Sequence, residues 1–477
     1  MGETLSEPQA EAAVLAERQL HRSLGDPALN SMNFLNEVAA RYPDAISFAA
    51  GRPYEEFFDL EQLHRALRRF CQHLGDDLGF DQDQVTRTLF QYGRTKGITH
   101  HLIARHLRID EQIDVDPEAI VVTVGCQEAM FLVLRALRAD PTDVVLAVAP
   151  TYVGLTGAAR LVEMPVAPVA SGPAGVDFDH LTAQLRQTRE RGLRPRACYV
   201  SPDFANPSGV SLDLAARRRL LQIADEHDIL LLEDNPYGLF HADGESRQPT
   251  LKALDRGQRV VYLGSFAKTV LPGARVGYVI ADQRVHHAST DTGPAPTSAD
   301  TGPAHASADT GPAHASAGPA AGTLLADQLS KIKSMLTVNT SAIAQAVVGG
   351  SLLEHDCSLV AANQRERTAY ARNLRLILDG LTARFAGTPG VTWNVPTGGF
   401  FLVVTTPFPV DDRLLDRAGR DYGVLFTPMS HFYDGVAPVN ALRLSASVVT
   451  PQQIDAGLDR LAALIRDQIE ERHSAHR

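Results

Sequence analysis

Residues 262–279 read YLGSFAKTVLPGARVGYV. Two short apolar runs, 260–263 and 276–280, enclose a polar loop that carries Ser265, Lys268 and Arg275. Apolar runs of about four to eight residues bounded by turn formers have the length of buried strands. Lys268 therefore sits on a loop at a strand's end, close to a core. Taken alone, such a lysine is either a solvated loop residue or a catalytic amine, and the rest of the chain decides between them.

Working outward, further strand candidates lie at 120–124, 144–148, 197–200 and 229–232. Helical patterns separate them, as in SLDLAARRRLLQIADEHD (211–228), where Leu214, Leu220, Leu221 and Ala224 share one stripe. Continuous apolar strands alternating with helices predict an α/β fold with a mostly parallel sheet covered on both faces. Helical stretches at 324–353 and 363–385, the runs GGFFLVVTT and NALRLSAS, and a terminal amphipathic helix predict a smaller α+β lobe. Between them lies DTGPAPTSA DTGPAHASA DTGPAHASA, a nine-residue unit given three times from Asp291 and followed by GPAAG. Its apolar residues are alanine and proline alone, too little to offset ordering entropy, so 289–322 is expected to be a disordered insertion. His305 and His314 recur within it without a rigid frame for a metal.

The 477 residues suffice for two or three domains, or one large α/β unit with a smaller lobe. A net charge of -11 argues against a nucleic-acid footprint, which needs a basic face. The run Arg217-Arg218-Arg219 is expected to be a solvated helix face. Cys71, Cys126, Cys198 and Cys357 form no CxxC pair, which excludes a thiolate zinc site and suits a reducing cytoplasm. The opening residues carry no apolar signal core. Gly2 with Ser6 fits a loose lipidation pattern, but in an acidic context. No apolar run is long enough to span a membrane.

In a parallel α/β sheet, ligands bind beyond the carboxyl ends of the strands. Polar groups follow almost every strand candidate. Gly125 opens a helix and exposes the backbone N–H groups of Cys126 and Gln127, a ready anion site. Tyr152 follows the next strand, and Asn206 lies in YVSPDFANPSGV. Asp234 and Tyr237 lie in LLLEDNPYGLF. Singly, each has an ordinary structural explanation. Together they describe a ligand with a phosphate, a flat aromatic ring, a protonatable ring nitrogen and an aldehyde, which is pyridoxal 5'-phosphate. Lys268 is then the amine that condenses with the aldehyde, its basicity lowered by burial. Asp234 faces the ring nitrogen and keeps it protonated. Asn206 and Tyr237 bond the phenolic oxygen, and Tyr152 stacks on the ring. Ser265, Arg275 and the 125–127 turn hold the phosphate.

The motifs QYGRTKG, TVGCQEA, APTYVG, SPDFANPSG, LLEDNPYG, GSFAKTVLPGARVGY, PTGGFFL and LRLSAS occur in this order across 46–464. With them the chain resembles the class I/II aminotransferases of the fold-type I pyridoxal-phosphate superfamily. The resemblance implies a large domain with a mostly parallel seven-stranded sheet sandwiched by helices, plus a smaller α+β domain. The expected division is an arm at 1–45, a large domain at 46–330 and a small domain at 331–477, completed by part of the N-terminal segment. The resemblance also implies that Arg443 grips the substrate α-carboxylate beside Asn206, and that Gly51 lines the substrate pocket. Tyr92 is implied to reach a neighbouring subunit's phosphate, so a homodimer with shared sites is expected. The implied reaction is ping-pong transfer of an amino group between an amino acid and a 2-oxo acid. Other pyridoxal-phosphate reactions (β-elimination, oxidation, decarboxylation) use the same shared residues, and a broad aromatic or 2-aminoadipate-type aminotransferase is the alternative within transamination.

More narrowly, SMNFLNEVAARYPDAISFAAGRPYEEFFD, TYVGLTGAAR and FTPMSHFY resemble the dihydroxyphenylglycine transaminases of glycopeptide-antibiotic pathways. Arg52, Tyr54, Phe432 and Tyr433 are then candidates to line the substrate pocket. The chain departs from the family at Ala267, where serine is common, at His100-His101, and in the nine-residue repeats.

Overall fold

Fully apolar strands, with no polar alternation, bury both of their faces. The larger sheet is built mostly of such runs and has seven strands: β1 (Ile120–Val124), β2 (Asp143–Val148), β3 (Val166–Val169), β4 (Arg194–Val200), β5 (Leu230–Asp234), β6 (Val260–Ser265) and β7 (Val276–Ile280). The computed structural model describes residues 13–475 apart from 27–28, 30, 32–33, 35–36, 39, 173–174, 243–246, 287–321 and 434–438. The sheet order is β1-β7-β6-β5-β4-β2-β3. Only β7 runs against its neighbours; the other pairings are parallel.

Strand periodicity divides the side chains between two cores. Val121, Val145, Leu232, Val261 and Val279 meet helices Gly125–Leu137, Val153–Leu161 and Leu325–Leu336 through Leu132, Leu155 and Leu329. On the opposite face, Val122, Tyr262 and Ile280 meet Phe70 and Val348, while Leu146, Cys198 and Leu231 meet Leu185 and Leu220. The apolar-run reading misses β3, whose sequence VAPV is partly exposed and contains Pro168. Proline is tolerated there because β3 is an edge strand, paired only with β2.

A second sheet holds β8 (Thr392–Trp393), β9 (Phe401–Thr405), β10 (Thr427–Pro428) and β11 (Ala441–Ser445), in the order β8-β9-β11-β10 and antiparallel throughout. Leu374, Ile377 and Leu381 of helix Gln364–Phe385 and Leu458 and Leu461 of helix Pro451–Ala475 bury its face. Phe48 and Ala49 share that core, and Ile46–Ser47 pairs in parallel with Val424–Leu425. Residues 46–49 thus pack with the smaller sheet, although the sequence division puts them in the larger domain. Conversely, Ala346, Val348, Leu352, Cys357 and Leu359, assigned from sequence to the small domain, pack with Ile120 and Tyr262 of the large sheet.

Two further differences have local causes. The helical stretch expected at 324–353 is two helices, Leu325–Leu336 and Ala342–Glu354. The break falls where Val338 turns left-handed at φ 66° and Ser341 caps the second helix by accepting from Ala344 N. Arg217 is not on a solvated face but fully buried. Its guanidinium bonds both carboxylate oxygens of Asp203 and the carbonyls of Pro202, Leu212 and Pro249. A cation this buried survives only because every donor direction meets an acceptor. The clamp pins the loop after β4.

The nine-residue repeats lie outside the described residues. Their flanks meet: Thr323–Leu324 pairs antiparallel with Arg284–Val285. No described helix is long and apolar enough to cross a membrane.

Candidate active site

The sheet's carboxyl edge brings three phosphate-type elements side by side. Strand register sets Val124 of β1 against Val276 of β7, and Ser265 of β6 against Gly277. Arg275, just before β7, therefore lies over the turn that opens helix Gly125–Leu137. Gly125 has φ 70°, and a Cβ on it would stand 2.5 Å from Arg275 Nη2. A side chain there would drive the guanidinium away; only glycine suits both the backbone and the contact. Likewise a Cβ on Gly277 would meet Cys126 N at 2.6 Å.

Next along the edge, β5 ends in Asp234, buried between β4 and β6. Its Oδ2 accepts from the Tyr199 hydroxyl at 2.6 Å and its Oδ1 from Cys126 Sγ at 3.6 Å. Burial raises the Asp234 carboxyl to about 6, and those two donors pull against it. Burial together with the Asp234 charge pushes Tyr152 upward, and burial does the same to Tyr237.

Lys268, on the loop after β6, donates from Nζ to Gly51 O at 2.7 Å. Its ammonium is lowered to about 8, first by burial and then by the charges of Arg443, Arg275 and Arg52. Arg443 arrives from β11 of the smaller sheet. It donates to Asn206 Oδ1 at 2.5 Å, Ala49 O at 2.8 Å and Thr427 Oγ1 at 3.1 Å. Its guanidinium lies 4.2 Å from the Phe401 ring centroid and 5.1 Å from that of Phe432. Burial lowers it to about 10.

One cavity joins these groups. Gly51, Arg52, Cys126, Gln127, Tyr152, Asn206, Asp234, Tyr237, Ser265, Lys268, Arg275, Phe432 and Arg443 all line it. Gly125 is not in its wall but underlies Arg275. Tyr92 is not in the wall either; it is 84% exposed. Of the four candidates for the substrate pocket, Arg52 and Phe432 line it. Tyr54 instead borders a separate surface groove and donates its N–H to the Tyr370 hydroxyl at 3.1 Å, and Tyr433 packs behind the wall with Phe432. The sequence reading missed Tyr199, Phe401, Met130 and Ser201, which also line the cavity. His100 and His101 lie elsewhere, where His101 Nε2 meets His73 Nε2 at 3.4 Å. Among the described residues no group of three or more His, Cys, Asp or Glu could hold a metal ion.

The profile of the family Aminotransferase class I and II matches residues 46–461. The chain belongs to the class I and II aminotransferases. This aminotransferase is 57% identical over 451 residues to a (S)-3,5-dihydroxyphenylglycine transaminase of Amycolatopsis orientalis, covering 94% of each chain. It is 26% identical to aromatic-amino-acid aminotransferase 1 of Thermococcus litoralis, covering 95% of this chain and 99% of that one. Among solved structures it is similar to Pyrococcus horikoshii kynurenine aminotransferase in complex with PMP, at TM-score 0.75 and 25% identity over 95% of this chain and 98% of that one. It is also similar to the alpha-aminoadipate aminotransferase of Thermus thermophilus complexed with N-(5'-phosphopyridoxyl)-L-leucine, at TM-score 0.72 and 26% identity over 95% and 98%.

Proposed function

We propose that this aminotransferase uses pyridoxal 5'-phosphate to exchange an amino group between an arylglycine of the 3,5-dihydroxyphenylglycine type and a 2-oxo acid, alternating between the two in ping-pong fashion. The observation that carries the reading is the single cavity that unites half-buried Lys268 with buried Asp234 and Arg443. Its donor set fits the cofactor. Arg275, Ser265 and the start of helix Gly125–Leu137 suit a phosphate, and Asp234 suits a protonated ring nitrogen. Ser201 Oγ and Arg443 Nε are buried there without a hydrogen-bond partner among the described residues, which leaves polar capacity for a ligand.

When bound, the cofactor supplies an aldehyde that condenses with amines and a ring that accepts electrons from the substrate α-carbon. The chain's own residues do the rest. Arg443 binds the α-carboxylate, a planar task suited to guanidinium. Phe401 and Phe432, on the Arg443 guanidinium, offer aromatic faces beside that handle. Tyr152 would offer its aromatic face to the ring, and Asn206 and Tyr237 would hold its phenolic oxygen. Lys268 would serve as the base that takes a proton from the substrate α-carbon and as the acid that gives it back. Its lowered basicity keeps part of it neutral near neutral pH.

A homodimer with shared sites accompanies this reading. Phe90, Tyr92, Leu336, Val338 and Ile343 are exposed, and a Cβ on Gly93 would reach Asn339 Nδ2 at 3.7 Å, so the Tyr92 loop abuts the break between the two helices. That apolar neighbourhood suits a second copy of the chain, with Tyr92 reaching its phosphate site. The free cysteines suit a cytoplasmic setting.

The test is to mix the cofactor-loaded protein with a panel of amino acids and follow its visible absorption. Bleaching by arylglycines, with release of the matching arylglyoxylate, supports the reading. Bleaching by aliphatic or lysine-like donors alone discards the aryl substrate, and release of ammonia or carbon dioxide discards transamination.

A further inference from the structure

Both oxygens of Asp234 are engaged by side chains, and the two contacts are unequal. The Tyr199 hydroxyl reaches Oδ2 at 2.6 Å, a short charge-assisted bond. The Cys126 thiol reaches Oδ1 at 3.6 Å, and a thiol is a weak donor. Strand pairing produces this arrangement. Tyr199 on β4 lies opposite Leu232 on β5, and Asp234 follows two residues later on the same face. A phenol is long enough to reach that diagonal neighbour. Oδ2 is thus held by the stronger donor and Oδ1 by the weaker one, and both donors line the cavity with Asp234.

The carboxylate's surroundings leave few alternatives for this duty. Cys126, Tyr152, Tyr199 and Tyr237 face its charge, and Lys268, Arg275 and Arg443 share its cavity. No arginine or lysine hydrogen-bonds Asp234 among the described residues. The hydrogen bonds from Tyr199 and Cys126 favour its ionised form against its burial.

We propose that Tyr199 is a positioning residue: it fixes the Asp234 carboxylate through Oδ2 and so presents Oδ1 to the cofactor's ring nitrogen, with Cys126 grading the strength of that second contact. The proposal rests on the cofactor reading above. It gives two substitutions opposite signs. Tyr199→Phe removes the strong donor and makes Asp234 easier to protonate. Cys126→Ser places a stronger donor on Oδ1 and makes it harder to protonate.

The experiment measures binding of 4'-deoxypyridoxine phosphate to the full-length protein freed of cofactor, as a function of pH. This probe lacks the aldehyde, so Lys268 forms no bond to it. Its own phosphate titrates identically in every variant, leaving the differences to the protein. Tyr199→Phe is expected to weaken binding about tenfold near neutral pH and to move the acid midpoint of affinity upward. Cys126→Ser is expected to move that midpoint downward. A Tyr199→Phe protein with unaltered melting temperature and an unmoved midpoint overturns the proposal. If that variant does not fold, Cys126→Ser decides: a downward midpoint supports the proposal and an unmoved one overturns it. Failure of the unmodified protein to bind the probe at any pH instead overturns the cofactor reading, and the Tyr199 role with it.

Discussion

Arg443 of the smaller sheet donates from Nη1 to Oδ1 of Asn206, at 2.5 Å, on the loop that follows β4 of the larger one. The residue proposed to read the substrate carboxylate is thereby tied to one proposed to hold the cofactor. Replacing Arg443 with lysine keeps the charge but loses the planar fork that serves Asn206, Ala49 and Thr427 together. Truncating a buried, hydrogen-bonded charge costs about 2–5 kcal/mol. Arg443→Lys is therefore expected to raise KM for amino donors by roughly 30-fold or more, as read from steady-state kinetics. An unchanged KM would remove Arg443 from the carboxylate site.

The Arg217–Asp203 clamp makes a stability prediction. Both side chains are almost wholly buried, so Arg217→Met leaves the Asp203 carboxylate without its partner. Such a break costs about 3–5 kcal/mol. Thermal unfolding should show a clear drop in melting temperature, and the double variant with Asp203→Leu should recover part of it. A single variant as stable as the parent would contradict the clamp.

His101 sets a pH dependence. Burial, with His100 and His73 nearby, lowers it to about 4. Its unfolded value is about 6.5, so folding favours the neutral ring. The contribution is fully present above about pH 6.5 and is lost as pH falls toward 4. Urea unfolding should show stability falling through this window, and His101→Phe should flatten that fall. The same slope in both proteins would place the effect elsewhere.

Lys268 offers a second titration. With its ammonium lowered to about 8, the neutral amine needed for condensation accumulates as pH rises. The rate at which the cofactor-free protein takes up pyridoxal phosphate should climb with pH and level off beyond about 8. A profile still climbing at the pH of an ordinary lysine would show that burial does not tune this amine.

How much of this was legible in the sequence depended on burial. The central strands could be read because both faces are covered, which leaves their apolar runs unbroken. β3 escaped because an edge strand tolerates the polar exposure and proline that break such a run. Asp234, Lys268 and Arg275 stood out as charges beside apolar strands. Tyr199 and Phe401 did not, since an aromatic within a strand reads as core until strand register sets it beside Asp234 or Arg443. Arg217 misled for a related reason: its three-arginine run looks solvated, and its acceptors come from the separate stretches holding Pro202, Asp203 and Pro249.

The central claim is that Lys268 is the amine joined to the cofactor. Borohydride reduction of the loaded protein, followed by peptide mass mapping, tests it most directly. The account predicts one phosphopyridoxyl label, on the peptide containing Lys268. A label on Lys252, Lys333 or another lysine, or none at all, would contradict it.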